Sequence, residues 1–383
     1  MFQISLFFLI LFQQYLYFAS SSWTEVGTSS PATRAFHSSV VFNDAIVVIA
    51  GSNGGNLNDV WSTADGGVNW IELTSSASFS ARVHSRAVVY NGKIVVTGGC
   101  VGGTTDADVW SSIDGGATWV EEINAAESGG RCVHGTVVYN SLIYVMGGWG
   151  AAGSHLNDVW SSADGGATWV EHTANAEWSI RQGHNCVVYD NKIYLMGGDN
   201  SNDIWTSSDG GATWVELVAA AEWGGRSDYG LVVYNDIFYL AGGHNATANF
   251  NDMWQSTDGG VTWTEILPRG EWSKRYATTF VEFDSNLFMM LGASGGGGGQ
   301  QSDSWAYQTP DTPHDVLCSI VAGTSIGSHT GYDRWSCGTD GVPTTDPCGA
   351  GAVWQGISCS GSSIQYLALT TAPALTGTLL HVQ

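Results

Sequence analysis

"RCVHGTVVYNSLIYVMGGWGAAGSHLNDVWSSADGGATWVE" spans residues 131–171, and its reading decides the fold. It divides into four short runs. The first, Arg131 to Tyr139, ends at Asn140-Ser141, a pair suited to the positive φ of a type I′ hairpin turn. The second, "LIYVMGG" (142–148), is apolar almost throughout, as a strand buried on both faces should be, and ends in a double glycine. The third is "NDVWSS" (157–162) and the fourth "TWVE" (168–171), with an Asp-Gly-Gly turn between them. One such four-stranded sheet cannot bury both its faces alone, so copies of it must stack.

Copies are present. Six units open at Arg34, Arg82, Arg131, Arg181, Arg226 and Arg275, at intervals of 48, 49, 50, 45 and 49 residues. Six of the nine arginines therefore occupy one repeat position, so no single one of them stands out as special. The hairpin pair recurs as Asn43-Asp44, Asn91-Gly92, Asp190-Asn191, Asn235-Asp236 and Asp284-Ser285. The sixth unit is incomplete: "SDSWAY" (302–307) supplies a third strand, but no DGG and no TWVE follow. The chain has one spare fourth strand, "SWTEV" at 22–26, ahead of the first unit. The expectation is that these first residues complete the last sheet and so close a ring.

Four short strands, a repeat near 50, a double glycine after the second strand and one aromatic in each outer strand resemble kelch repeats over residues 22–309. The resemblance implies an all-β, six-bladed β-propeller around a central channel, closed by the N-terminal outer strand. The turns "SIDGGATW" (112–119), "SADGGATW" (162–169), "SSDGGATW" (207–214) and "STDGGVTW" (256–263), with the near match "TADGGVNW" (63–70), resemble the Asp-box. In that motif Asp65, Asp114, Asp164, Asp209 and Asp258 would each accept backbone N–H groups across a turn, as structural staples. They also account for many acidic residues, so part of the formal charge of −23 belongs to the scaffold. With only 12 basic residues, nucleic acid and anionic membranes are poor partners.

The flanks read differently. Residues 1–21 contain an apolar run from Ile4 to Phe12, with Ala19 and Ser21 at −3 and −1 of a cleavage site, and read as a secretory signal peptide. Residues 310–383 contain "WSCGTDGVPTTDPCGAGAVWQGISCSGSSIQYLALTTAPALTGTLL" (335–380), which resembles the N-terminal cap of plant-type leucine-rich repeats. It stops after one partial repeat, so the chain reads as a truncated or mispredicted gene product or as the stub of a larger ectodomain, with membrane attachment only if a longer transcript encodes a span. The resemblance implies a Cys348–Cys359 disulfide, with Cys318 and Cys337 as a second pair. Cys100, Cys132 and Cys186 are expected to be buried thiols.

Alternating strands put the 4→1 and 2→3 loops on one end of a propeller, the natural ligand surface. Three of these loops carry Glu-Trp ahead of the repeat arginine: Trp178 before Arg181, Trp223 before Arg226 and Trp272 before Arg275. The candidate ligand residues are Trp149, Trp178, Trp223, Trp272, Arg131, Arg181, Arg226, Arg275, His155 and His244, with Asp199 beside them. Exposed Trp beside Arg suits a sugar ring or a protein partner. The alternative is that each Trp wedges between blades while each Glu pairs with an Arg. His37, His134 and His184 share one inner-strand position, but no carboxylate joins them, and no metal or other cofactor is assigned. Asn245-Ala246-Thr247 is an N-glycosylation sequon.

The expected function is an extracellular, non-enzymatic recognition module for a protein or glycan. A sialidase-like glycoside hydrolase is the alternative, although its Tyr, Glu and Asp set is not recognisable here. The copper-radical oxidases that share the kelch fold need a Tyr-His pair, and no "YH" occurs in the chain.

Overall fold

The computed structural model describes residues 23–27, 31–295 and 299–307, and the backbone of three further strands near the C-terminus. Two compact units are present. The larger, Ser21–Thr309, holds six four-stranded antiparallel sheets, the blades. Blade 3 is representative: Gly135–Tyr139, Leu142–Gly150, His155–Ser162 and Val170–Thr173 pair in sequence order, and the short Arg131–Cys132 strand extends it. The other unit contains a three-stranded antiparallel sheet, Ile357–Ser360, Ser363–Ala368 and Leu379–His381. The side chains expected to form a leucine-rich-repeat cap, including Cys318, Cys337, Cys348 and Cys359, lie outside the described residues, as does the leader at 1–21.

Local chemistry sets the hairpins. Both central residues of every first turn have positive φ, from Asn43 (47°) and Asp44 (55°) to Asp284 (46°) and Ser285 (62°). This is the type I′ geometry whose twist matches the flanking strands. The second strands then run through the interior: Ile46 to Ala50, Ile94 to Val96 and Ile143 to Met146 are 0–2% exposed. Burying each such aliphatic side chain contributes about 1.5–3 kcal/mol.

The core is divided among the seams between blades. Val47, Ile49 and Val60 of blade 1 meet Ile94, Val96 and Trp119 of blade 2. Equivalent clusters join blades 2 and 3, 3 and 4, 4 and 5, and 5 and 6. The last seam brings Ile46 and Val48 of blade 1 against Phe288 and Met290 of blade 6, and the ring is complete.

The closing strand is Trp23–Gly27, as the missing fourth strand of the sixth unit implied. It pairs antiparallel with Ser304–Tyr307, Trp23 opposite Tyr307. Successive side chains serve opposite faces. Trp23 packs on Trp272 at 4.6 Å between ring centroids, in the seam with blade 5. Val26 reaches the seam with blade 1. Gly27 lies so close to the DGG turn of blade 1 that a Cβ there would collide with the Gly67 carbonyl.

Candidate functional site

The six repeat arginines come first, because the structure removes them from the surface. Each is 0–2% exposed and bonded bidentately to the aspartate of the third strand in its own blade. Arg34 pairs with Asp59, Arg82 with Asp108, Arg131 with Asp158, Arg181 with Asp203, Arg226 with Asp252 and Arg275 with Asp303. In blade 4 the contacts are 2.6 and 2.7 Å, and Arg181 Nη1 also donates to the Gly197 carbonyl at 2.8 Å. The indole N–H two residues beyond the aspartate donates to the same carboxylate, as Trp205 does to Asp203 at 2.8 Å. Burial pushes the Asp203 and Asp303 carboxyls up, but hydrogen bonds and charge from Arg181 and Arg275 outweigh it and hold both below the usual range. Arg131, Arg181, Arg226 and Arg275 are therefore corrected from ligand contacts to internal latches. The aspartates were visible in "NDVW", but their pairing was not.

Trp178, Trp223 and Trp272 are likewise corrected: they are 1–2% exposed. Trp178 meets Trp214 edge-on at 6.0 Å in the seam of blades 3 and 4, and Trp223 meets Trp263 at 6.3 Å in that of blades 4 and 5, wedged between blades as the alternative reading had it. The preceding glutamates do not pair with arginine. Glu177 accepts the Trp214 backbone N–H at 3.2 Å, and Glu222 that of Trp263 at 3.1 Å. These loops fold inward because the indoles gain more from burial than from solvent.

The inner-strand histidines are spent between blades. His37 Nε2 contacts Thr279 Oγ1 at 2.6 Å, and His134 Nε2 contacts Thr97 Oγ1 at 2.9 Å. His184 Nε2 meets the Met146 carbonyl at 3.2 Å, and Tyr229 in the same position donates to the Met196 carbonyl at 2.6 Å. Burial pulls His37 and His184 down to about 3 and keeps all three imidazoles neutral near neutral pH. Among the described residues no three His, Cys, Asp or Glu side chains converge as metal ligands.

At the other end of the blades, the DGG turns are alike. Asp164 accepts Ser162 Oγ at 2.8 Å, Thr168 N–H at 3.0 Å and Thr168 Oγ1 at 2.6 Å. Asp114, Asp209 and Asp258 repeat this pattern. Asp65 does so with Asn69 in place of threonine.

The channel mouth is different. Two residues after each repeat arginine stand Phe36, His84, Val133, Gly183, Asp228 and Ala277, all with φ between 51° and 69°. His84 N–H donates to the Phe36 carbonyl at 2.8 Å, and Val133 N–H to that of His84 at 3.1 Å. Gly183 donates to Val133, Asp228 to Gly183 and Ala277 to Asp228, at 3.0, 3.0 and 2.8 Å. A girdle of main-chain bonds thus links one blade to the next around the opening. Left-handed backbone at a non-glycine residue costs about 1–2 kcal/mol, and here the girdle holds five such residues in place.

Around this girdle the remaining predicted residues do meet. Trp149 stands opposite His155 in blade 3. His155 Nδ1 contacts Asp199 of blade 4 at 2.6 Å. The neighbouring Asn200 side chain accepts Ala246 N–H of blade 5 at 3.1 Å. His244 Nε2 contacts Asp228 at 3.3 Å and stacks near Tyr276 of blade 6 at 4.5 Å. Phe36 lies 5.8 Å from Tyr276 and 4.5 Å from His84. Hydrogen-bond demand from Asp228 raises His244 above its usual range, whereas burial lowers His84. Asn245 Oδ1, in the sequon, accepts Thr247 N–H and Oγ1 at 2.9 Å.

One cysteine expectation is overturned. Cys100 and Cys132 are a disulfide joining blade 2 to the entry of blade 3, beneath Trp149, with a Cα separation of 5.5 Å. They lie 32 residues apart in sequence, in different units, and nothing in either unit alone pairs them. Cys186 is a free thiol that burial pushes up to about 12.

A family model described as the KLHDC2/KLHL20/DRC7 Kelch-repeats domain matches residues 13–198, slightly under half of the chain. The match runs to the second strand of blade 4. No curated protein matches the chain. The six seams and the closing strand make the described residues between 23 and 307 a six-bladed propeller, whose blades as far as the second strand of blade 4 match kelch repeats.

Proposed function

We propose that this chain is a non-enzymatic scaffold that binds a protein partner across the channel mouth. The observation that carries this reading is the arc Trp149, His155, Asp199, His244, Tyr276 and Phe36. It crosses most of the ring with polar and aromatic side chains that the seams do not consume. Aromatic and histidine side chains of this kind anchor protein interfaces at small entropic cost. The sialidase alternative is not favoured, because the six repeat arginines that could have met a carboxylate ligand are already engaged by aspartate.

The test uses the full chain against protein and glycan arrays in parallel. A protein ligand found on the array should bind the His155→Ala/Tyr276→Ala variant at least about tenfold more weakly, with melting unchanged. Equal binding by parent and variant would move the site elsewhere, and capture of glycans alone would replace the proposed partner class.

The location we propose is extracellular. The apolar run from Ile4 to Phe12 supports it, as does the Cys100–Cys132 disulfide, since such bonds persist in oxidising compartments. Secreted material should begin near residue 22 and carry a glycan mass on Asn245. Protein retained in reduced form inside the cell would contradict the proposal.

A further inference from the structure

Below the girdle the channel encloses about 180 Å³. Two opposite charges line it, Arg86 on blade 2 and Asp228 on blade 5. In the repeat register Arg86 has five counterparts, Ser38, Gly135, Asn185, Gly230 and Thr279. One long cation therefore enters a ring of short or absent side chains. Arg86 Nε donates to the His134 carbonyl at 2.7 Å, and its two terminal amino groups have no hydrogen-bond partner among the described residues.

Asp228 stands two register positions nearer the mouth. One of its carboxylate oxygens meets His244, and the other has no partner among the described residues. Burial pushes this carboxyl up, but the His244 hydrogen bond and the charges of His84 and Arg86 hold it net below its usual range, so it is anionic. No ion pair joins Asp228 to Arg86 among the described residues, although both reach the same cavity.

Half-buried opposite charges facing one space without pairing are complementary to a molecule that carries both signs. An arginine fork matches a carboxylate in bidentate fashion. At the mouth, Asp228 together with the Phe36 and Tyr276 rings suits an ammonium group. Because the two charges line the cavity from different blades and at different depths, a molecule that meets both must hold its own charges apart, as a β- or γ-amino acid does. We propose that the channel is a binding site for a small zwitterion of the amino-carboxylic acid class, its carboxylate on Arg86 and its ammonium on Asp228. This site extends from the mouth into the ring, and its ammonium end shares Phe36 and Tyr276 with the arc proposed for the protein partner.

The probes are 4-aminobutanoate and its two halves, butanoate and butylamine, titrated calorimetrically into the full chain. The zwitterion should bind at least about tenfold more tightly than either half. Arg86→Gln should erase its advantage over butylamine, and Asp228→Asn its advantage over butanoate. Should Arg86→Gln fail to fold, Arg86→Lys keeps the charge but loses the fork, and should weaken the zwitterion without abolishing it. Butanoate binding as tightly as the zwitterion would overturn the proposal in favour of a simple anion site. Absence of saturable binding by the zwitterion would overturn it as well.

Discussion

The latches and the girdle occupy neighbouring positions in every unit, yet they differ completely in sequence. The latch is arginine in all six blades and meets aspartate in all six. Two residues on, the girdle carries Phe36, His84, Val133, Gly183, Asp228 and Ala277, six different residues in one conformation. The latch works through its side chain, so any change of residue breaks it. The girdle works through main-chain N–H and C=O groups, so its side chains are free to vary. A repeat protein can therefore present a different surface from each blade where the backbone alone does the joining. That freedom is found at the channel mouth, where the candidate site lies.

Removing the part that all six blades rely on should cost most. Deletion of Trp23–Gly27 opens the seams with blades 5 and 1 together. It should exceed the 3–5 kcal/mol typical of losing one buried tryptophan, as read from denaturant unfolding. A deletion that unfolds like the parent would mean that the ring does not depend on closure. Next comes a single latch. Asp203→Asn leaves Arg181 buried without its counter-charge and should cost about 3–5 kcal/mol. A loss under about 1 kcal/mol would reduce the latch to the level of a surface ion pair.

Acid should act on the repeated turns. Hydrogen bonds hold the Asp114 and Asp164 carboxyls at about 2 although burial pushes them up. Their folded values lie below the unfolded one near 4, so their stabilisation is complete above about 4 and is lost as pH falls towards 2. Melting curves taken across that window should shift downwards, and the Asp114→Asn/Asp164→Asn variant should show a smaller shift. The smallest effect belongs to the girdle. Ala277→Gly keeps the main-chain bond and relieves a left-handed alanine at φ 51°, so stability should stay within roughly 1 kcal/mol of the parent. A larger loss would show that the alanine methyl matters.

What the sequence made legible follows the same division. Turn chemistry is local, so Asn43-Asp44 and its equivalents announced their hairpins, and a fourth strand missing from one unit pointed to the spare at Trp23. The latches were hidden because Asp203 stands 22 residues from Arg181 and both repeat in step, so that spacing alone pairs nothing. Trp178 was misread because a loop position suggests solvent, whereas this loop folds its indole against Trp214. The girdle leaves no sequence mark: valine and phenylalanine are poor left-handed residues, and the series of five main-chain bonds from Phe36 to Ala277 accounts for Val133 and Phe36 there. His155 and His244 could be placed on the correct end by loop order, but their carboxylate partners come from other segments.

The closing strand also sets an order in time. Trp23 is made before the other strands of the propeller, yet its partner Tyr307 belongs to the last of them. At roughly 5–20 residues per second, the intervening chain takes about 15–60 s to emerge from the ribosome. Throughout that interval Trp23–Gly27 is a short aromatic strand with no partner of its own, while the earlier blades can stack as they appear. Contacts this distant in sequence form slowly. The end of the propeller that is born first must therefore wait for the last blade, and the newly made ring is open at that seam for its whole synthesis.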